Sequence, residues 1–291
     1  MRIFILTFLL LCMNTVFPSG RIIDIYIIGG QSNATGQAIM RNIPQSFKKD
    51  STVNIFYSRY LNRGKGGECW QNLCQASDSE DKFGVELSLG TKLKEFFPEK
   101  EIALIKHSLS GSNLYDQWNP GNRKNERQGD EYRKWIYTVN LALSQLRKMG
   151  YKPILRAMVW QQGEADARDW AGMKNSMEYG KNLRNFITQV RKDLNSPDLL
   201  FVYGKVIPIA AKRFPGRDLI RQAQYDISEA SKSSLSVKNT ILIETDDLQM
   251  LSSDFRSPAP KDDVHLGTYG ILELGERFAK AIYKHQTNKL K

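Results

Sequence analysis

A Gly-rich turn holds the side chain best suited to nucleophilic attack. Ser32 lies in the turn 29–36 (GGQSNATG), directly after an apolar run. A serine at the start of a helix has backbone N–H groups beside it, which stabilise the oxyanion formed when the hydroxyl attacks an ester carbonyl. A plain N-cap serine is the alternative interpretation. The turn lacks the lysine and the spacing of a phosphate-binding loop.

The search for a general base is short because the chain has three histidines. His285 lies in the basic C-terminal tail, and His107 ends a predicted strand. His265 follows Asp262 by three residues, in a turn just before the last predicted helix. A carboxylate at that spacing can fix the imidazole tautomer that accepts a proton from serine. We therefore predict that Ser32, His265 and Asp262 act together, with a surface-turn histidine as the alternative.

Two further segments offer groups that could stabilise an oxyanion. Gly111, in the segment 107–114 (HSLSGSNL), can donate its backbone N–H, and Gln162, in the segment 160–166 (WQQGEAD), can donate its amide. The alternative interpretation of the second segment is that its polar side chains only make hydrogen bonds that hold the turn together. The other candidates, for orienting the histidine or for binding substrate, are Glu164, Asp166, Gln31 and Asn33.

The elements that must position these residues alternate along the chain. Short apolar, β-branched runs alternate with longer segments of helical period, which predicts an α/β domain with a mostly parallel sheet. Ligands bind such sheets at the carboxyl ends of the strands, where the segments above lie. The predicted strands are 24–29, 53–57, 101–107, 154–160, 199–207 and 240–244, and the predicted helices are 85–97, 132–149, 177–194, 219–231 and 269–286, with a surface loop at 110–129.

Composition excludes several classes of protein. The 291 residues are 41% hydrophobic and 25% charged, the balance of a folded globular protein. The formal charge is +11, but basic and acidic residues are interspersed, so we expect no nucleic-acid partner. No cluster of cysteines or histidines has the spacing of a structural zinc site, and we expect no metal.

The N-terminus is typical of an exported protein. In residues 1–20, Arg2 is followed by an apolar stretch too short to cross a bilayer, which predicts a signal peptide, with an uncleaved anchor as the alternative. We expect one domain over 21–291, a secreted or periplasmic location, and no stable membrane insertion after cleavage. In such a compartment Cys69 and Cys74 predict a local disulfide.

The motifs at 30–33 (GQSN), 162–166 (QGEAD) and 262–265 (DDVH), in this order, resemble those of the SGNH hydrolase superfamily. More narrowly, the chain is similar to sialate O-acetylesterase-related and carbohydrate esterase family six acetylesterases. Supporting matches are the segments 83–86 (FGVE), 220–224 (IRQAQ) and 245–248 (TDDL).

This resemblance implies a three-layer αβα sandwich of flavodoxin-like type and no cofactor. Ser32 matches the nucleophile, His265 the base and Asp262 the orienting acid, with Glu164 as the alternative acid. The backbone N–H groups of Ser32 and Gly111, together with the Gln162 amide, match the oxyanion hole of the family.

The activity that the resemblance implies is that of a secreted serine esterase removing O-acetyl groups from carbohydrates, similar to an acetylxylan esterase. Two alternatives remain, a sialate O-acetylesterase with the same mechanism and a non-catalytic carbohydrate-binding protein on the same fold. Aromatic residues near the motif loops are candidates for stacking on sugar rings, among them Trp70, Tyr115, Trp118, Trp160 and Trp170, whereas Trp135 is expected in the core.

Overall fold

The computed structural model describes residues 20–121, 127–169 and 172–288. The predicted signal peptide lies outside these residues, except for its last residue, Gly20. In the described part the strands are β1 Arg21–Gly30, β2 Ala38–Ile39, β3 Asn54–Tyr57, β4 Gln71–Asn72, β5 Lys82–Phe83, β6 Ile102–Lys106, β7 Tyr151–Gln161, β8 Leu200–Gly204 and β9 Thr240–Ile243. The helices are α1 Ser32–Thr35, α2 Glu86–Phe96, α3 Asp130–Lys148, α4 Lys174–Asp193, α5 Arg217–Ile227 and α6 Thr268–Asn288.

Seven of the strands form one central sheet with the order β4-β3-β6-β1-β7-β8-β9. All pairs are parallel except β3 with β4. Without that edge pair, the order of β1, β6, β7, β8 and β9 is 2-1-3-4-5, which is the flavodoxin-like order. The strand order therefore reverses at β1, and β1 with β7 frames the crevice where such sheets bind ligands.

Helices cover both faces of this sheet. β1 alternates accordingly, with Ile25 and Ile27 packed in the cluster that holds α3, α4 and α5, and Tyr26 and Ile28 in the cluster that holds α2 and α6. Each such fully buried side chain contributes roughly 1.5–3 kcal/mol relative to an exposed one. The predicted three-layer αβα sandwich is confirmed. None of the helices in the described ranges is long and apolar enough to cross a membrane.

The predicted disulfide is wrong in this structure, where Cys69 and Cys74 are both free. The strand β4 lies between them, and each residue of an extended strand advances the chain by about 3.3 Å. A disulfide requires Cα atoms closer than about 7 Å, which an extended segment between the two cysteines opposes. Cys69 is exposed and Cys74 is half-buried, and burial raises the pKa of the Cys74 thiol to about 11.

Candidate active site

The nucleophile turn is positioned by the junction of β1 and β7. Gly30 pairs with Gln161 in the sheet, and its φ of 133° lies in the region that favours glycine. A Cβ atom on Gly30 would lie 2.2 Å from the Gln161 carbonyl oxygen, so only glycine allows this close approach. The chain then turns into α1, which begins at Ser32, as the sequence predicted.

Two backbone N–H groups, those of Ser32 and Gly111, are unpaired among the described residues. Ala34 and Thr35 donate their N–H groups to the carbonyl of Gln31. Within the described part of the chain, the Ser32 N–H has no acceptor, as expected for the first residue of a helix. The N–H of Gly111 also lacks an acceptor there, and its φ of 75° and the open space where a Cβ would lie leave this N–H accessible.

Asp262 makes two hydrogen bonds with His265 and one with its neighbour Val264. The imidazole Nδ1 lies 2.6 Å from Asp262 Oδ2, and Asp262 Oδ1 accepts the backbone N–H groups of Val264 and His265, each at 3.0 Å. Burial of the Asp262 carboxyl opposes ionisation, but these hydrogen bonds outweigh it and hold its pKa well below the usual range. With Nδ1 bonded to the carboxylate, Nε2 is the nitrogen that can accept a proton.

Asn33 joins the nucleophile turn to the histidine loop. Its Nδ2 donates to Glu164 Oε1 at 2.9 Å and to the Val264 carbonyl at 3.0 Å, while its Oδ1 accepts the Leu266 N–H at 3.0 Å. The Asn33 amide is therefore committed to the protein, contrary to its prediction as a substrate ligand. It fixes the spacing between Ser32 and His265.

Glu164 is near the histidine but does not hold it. Its Oε1 accepts from Asn33, and its Oε2 is buried without a partner among the described residues. Burial raises the pKa of Glu164, although the hydrogen bond from Asn33 and the nearby His265 act in the opposite direction. Of the two predicted orienting acids, the geometry favours Asp262.

Gln162 does not occupy the predicted position in the oxyanion hole. It is fully buried, and its Nε2 donates to Asp166 Oδ2 at 2.6 Å and to the Ser112 carbonyl at 3.1 Å, with Gln31 Oε1 more distant at 3.3 Å. An amide nitrogen has two hydrogens, so these two acceptors leave none for a substrate. The prediction assumed that a carboxamide at this strand end faces the ligand, whereas this one faces the loop after β6.

Asp166 belongs to the same buried network rather than to a substrate site. Its carboxylate accepts the backbone N–H groups of Leu114 and Tyr115 at 2.8 and 3.0 Å. Burial raises the pKa of Asp166 to about 6, against the effect of these donors. Asp166 and Gln162 together position the loop that contains Gly111.

The Gln31 amide differs from the Gln162 amide in its hydrogen-bond partners. Its Oε1 accepts the N–H groups of Ala165 and Gly163 at 3.1 and 3.4 Å, which fixes the oxygen and nitrogen assignment because backbone N–H groups only donate. Among the described residues its Nε2 has no hydrogen-bond acceptor. Gln31 also lines the pocket that contains Ser32.

A pocket of about 620 Å³ contains both Ser32 and His265. Neither the Ser32 hydroxyl nor His265 Nε2 has a hydrogen-bond partner within the described ranges, an arrangement that substrate-free sites often show before substrate tightens it. The remaining lining residues were not predicted from the sequence. They are Gln37, Asp78 and Ser110 on one side, and Arg168, Arg213, Phe214 and Lys261 on the other, with Val264 and Ala165 near the histidine.

Sheet order separates these two sides of the pocket. Ser110 follows β6 on one side of β1, whereas Arg168, Arg213 and Lys261 follow β7, β8 and β9 on the other. The basic side is also ordered around an aromatic ring, because the guanidinium groups of Arg168 and Arg213 lie 5.3 and 5.2 Å from the centre of the Phe214 ring. Reading each segment after a strand end would have found these basic residues.

The aromatic residues expected to stack on sugars lie mostly elsewhere. Trp118 and Trp160 are fully buried, and their rings meet edge to face in the core, where Trp135 also lies as expected. Trp70 packs against Phe56. Trp170 lies outside the described residues.

Comparison with protein families matches residues 22–284 to the family described as carbohydrate esterase, sialic acid-specific acetylesterase. The chain belongs to this family. The predicted resemblance is confirmed, and each motif that carried it lies within the matched residues.

Among the described residues, no three His, Cys, Asp or Glu side chains are grouped so that they could hold a metal ion.

Individual members of this esterase family and its structural neighbours differ considerably in sequence. A probable carbohydrate esterase of Arabidopsis thaliana is 28% identical over 128 residues, which are 44% of this chain and 40% of that relative. The match therefore spans less than half of that curated protein.

Solved structures share the fold at low identity. A crystal structure of an Arabidopsis thaliana protein has a TM-score of 0.63 and 20% identity, and the match covers 90% of this chain and 98% of that one. The structure of NanS has a TM-score of 0.66 and 15% identity, and the match covers 93% of this chain and 99% of NanS. A carbohydrate acetylesterase from Xanthomonas citri has a TM-score of 0.55 and 18% identity, with 89% and 55% covered.

Proposed function

We propose that this protein is a serine esterase that removes O-acetyl groups from carbohydrates through an acyl-serine intermediate. The observation that carries the proposal is that Ser32, the His265–Asp262 pair and the free N–H groups beside them line one pocket. Nucleophile, base, orienting acid and oxyanion donors are the set that acyl transfer requires. Membership in a carbohydrate esterase family supports the same chemistry.

In the first half of the reaction, the Ser32 oxygen attacks the acetyl carbonyl while His265 Nε2 accepts the hydroxyl proton. The carbonyl oxygen becomes an oxyanion, which the N–H groups of Ser32 and Gly111 and the Gln31 amide stabilise. The intermediate then collapses, the bond between the acetyl carbon and the sugar oxygen breaks, and the imidazolium protonates that oxygen. Asp262 stabilises the imidazolium throughout.

In the second half, water replaces the sugar. His265 takes a proton from water, and the resulting hydroxide oxygen attacks the acetyl group on Ser32. The second oxyanion collapses, the bond between the acetyl carbon and the serine oxygen breaks, and the imidazolium returns its proton to that oxygen; the product is acetic acid, which loses its proton to the solvent as acetate. Each turnover therefore consumes one water molecule and one acetyl ester and needs no cofactor.

The basic side of the pocket favours an acidic sugar such as an acetylated sialic acid over a neutral acetylated xylan. Arg168, Arg213 and Lys261 lie on this side, and Arg213 pairs with Asp263. A guanidinium binds a carboxylate through paired hydrogen bonds, which gives both affinity and orientation. A sialic acid has that carboxylate, and a xylan backbone does not.

We propose further that residues 1–20 direct export, so the enzyme meets its substrate outside the cytoplasm.

The test of catalysis is hydrolysis of 4-nitrophenyl acetate, acetylated xylo-oligosaccharide and acetylated sialic acid by the purified protein and its Ser32→Ala variant. We expect Ser32→Ala to lower kcat by about 10⁴-fold or more. Ser46→Ala is a matched control, because Ser46 is exposed and lies outside the pocket, and it should keep wild-type rates. No hydrolysis of any ester by the wild-type protein would favour the carbohydrate-binding alternative.

The test of substrate charge is Arg213→Gln. Loss of one charge-assisted hydrogen bond on the pocket rim should lower kcat/KM for acetylated sialic acid about tenfold relative to that for the neutral xylo-oligosaccharide. An equal effect on both substrates would contradict the preference for an acidic sugar.

A further inference from the structure

We propose that Asp78 binds hydroxyl groups of the sugar that bears the acetyl ester and so determines specificity, an inference that rests on the proposed function. Asp78 lies between β4 and β5, outside every motif in the sequence, but lines the same pocket as Ser32. It is the carboxylate on the side of the pocket opposite the three basic residues.

The Asp78 side chain is held in place by its neighbours. Its Oδ2 accepts the Gln37 amide at 2.6 Å and the Ser110 hydroxyl at 2.8 Å. Gln37 is itself oriented, because its Oε1 accepts from the Lys82 ammonium at 2.7 Å. A carboxylate fixed in this way loses little conformational entropy when it binds a ligand.

The second oxygen of the carboxylate is available. Asp78 Oδ1 has no hydrogen-bond or ion-pair partner among the described residues, whereas Oδ2 accepts both of the hydrogen bonds described above. The Asp78 side chain is half-buried, so it is neither enclosed in the core nor fully exposed to solvent. An acceptor of this kind in a substrate pocket matches a donor on the substrate, and sugar hydroxyls are such donors.

The position of Asp78 relative to the reacting groups supports this role. Ser110, which donates to Asp78, precedes Gly111, which lines the same pocket and has an N–H group without an acceptor among the described residues. A sugar whose acetyl carbonyl lies at Gly111 can therefore place a neighbouring hydroxyl on the side where Asp78 lies. The same carboxylate disfavours a negative group on this side, so an acidic sugar would place its own carboxylate towards Arg213.

A purely structural role for Asp78 makes a different prediction. If Asp78 only tethers Ser110, its loss displaces the Gly111 loop and slows hydrolysis of every ester alike. If Asp78 binds the sugar, its loss affects acetylated sugars far more than a small aryl ester that has no hydroxyls. The ratio of kcat/KM for acetylated sugar to kcat/KM for 4-nitrophenyl acetate separates the two roles.

The experiment measures this ratio for the wild-type protein, Asp78→Asn and the matched tether variant Ser110→Ala. We expect Asp78→Asn to lower the ratio by about 10- to 100-fold, the range for a lost hydrogen bond to a charged group. Ser110→Ala removes the hydrogen bond to Asp78 but keeps the carboxylate. It should change the ratio less than about threefold, which is smaller than the effect of losing one hydrogen bond to the substrate. An unchanged ratio in Asp78→Asn would overturn the inference.

Two additions keep the outcome clear. If Asp78→Asn does not fold, Asp78→Ser takes its place with the same expected fall in the ratio. Inhibition of aryl ester hydrolysis by the deacetylated sugar should also weaken at least tenfold in the Asp78 variant, and equal inhibition would count against sugar binding. Wild-type protein that cleaves the aryl ester but no acetylated sugar would instead refute the proposed carbohydrate substrate, a result distinct from failure of the Asp78 variant alone.

Discussion

Replacing Asp262 and Glu164 separately by their amides distinguishes the two acids that the sequence left open. Asp262→Asn keeps an oxygen for the backbone N–H groups of Val264 and His265, so the loop is retained. It places an NH₂ group against His265 Nδ1, however, and favours the tautomer whose Nε2 carries a proton and cannot act as a base. Glu164→Gln retains the acceptor for Asn33 and changes only an oxygen that already lacks a partner.

The expected magnitudes follow from these contacts. An imidazolium and a carboxylate whose N and O atoms lie 2.6 Å apart attract each other by about 4–6 kcal/mol at an effective dielectric constant near 20. Loss of that attraction in the transition state corresponds to about 10³- to 10⁴-fold in kcat. Glu164 makes no such bond to His265. Glu164→Gln should therefore lower kcat by less than about tenfold, which is the effect of losing one hydrogen bond between neutral groups.

Steady-state hydrolysis of 4-nitrophenyl acetate by both variants, with circular dichroism to check folding, measures the difference. A loss in Glu164→Gln as large as that in Asp262→Asn would refute the assignment of Asp262, and small equal losses would refute both acids.

Stability gives an independent check on Asp262. Its pKa is lower in the folded protein than in the unfolded chain, so its contribution to the free energy of unfolding is present above the unfolded value of about 3.9 and is lost as pH falls through the folded value. The Tm of the wild-type protein should therefore exceed that of Asp262→Asn at neutral pH, and the difference should shrink towards about pH 3.

Two further predictions concern single groups. Gln31→Leu removes the third oxyanion donor and should lower kcat about 10²-fold with little change in KM; steady-state kinetics measure this, and a pure KM effect would contradict it. Cys69 should react promptly with a thiol reagent without reductant and Cys74 slowly, as peptide mass spectrometry will show; oxidised cysteines would contradict the structure.

The fold was predictable because its main elements leave periodic patterns. The predicted strand 154–160 lies within the observed β7, and the predicted helix 85–97 coincides with α2 to within a residue at each end. The elements that were missed are too short for a pattern. Both β4 and the β2–β5 pair consist of two-residue strands, whose pairing depends on tertiary contacts.

The site was predictable only as far as chain position decides it. Ser32 follows a strand end, and that rule selects it, whereas the Asp262–His265 pair was selected by its three-residue spacing in a chain with three histidines. Gln31 and Gln162 follow the paired residues Gly30 and Gln161, so the sequence places both amides at the same point of the sheet. Which amide faces the pocket depends on where each side chain finds partners. Asp78 could not be found in this way, because its position depends on contacts with Gln37 and Ser110 across the fold.

The segment 83–86, which supported the family resemblance, acts behind the nucleophile turn rather than in the pocket. Glu86 is fully buried, accepts the N–H groups of Ala76 and Gly84 through Oε1, and pairs through Oε2 with the buried ammonium of Lys106 at 2.5 Å. That ammonium also donates to the carbonyl of Thr35, the last residue of α1, at 2.9 Å. Breaking such a buried pair destabilises a protein by about 3–5 kcal/mol. A motif that fixes the far end of a four-residue helix therefore fixes the serine at its start, which explains how residues that never touch substrate can mark an esterase sequence.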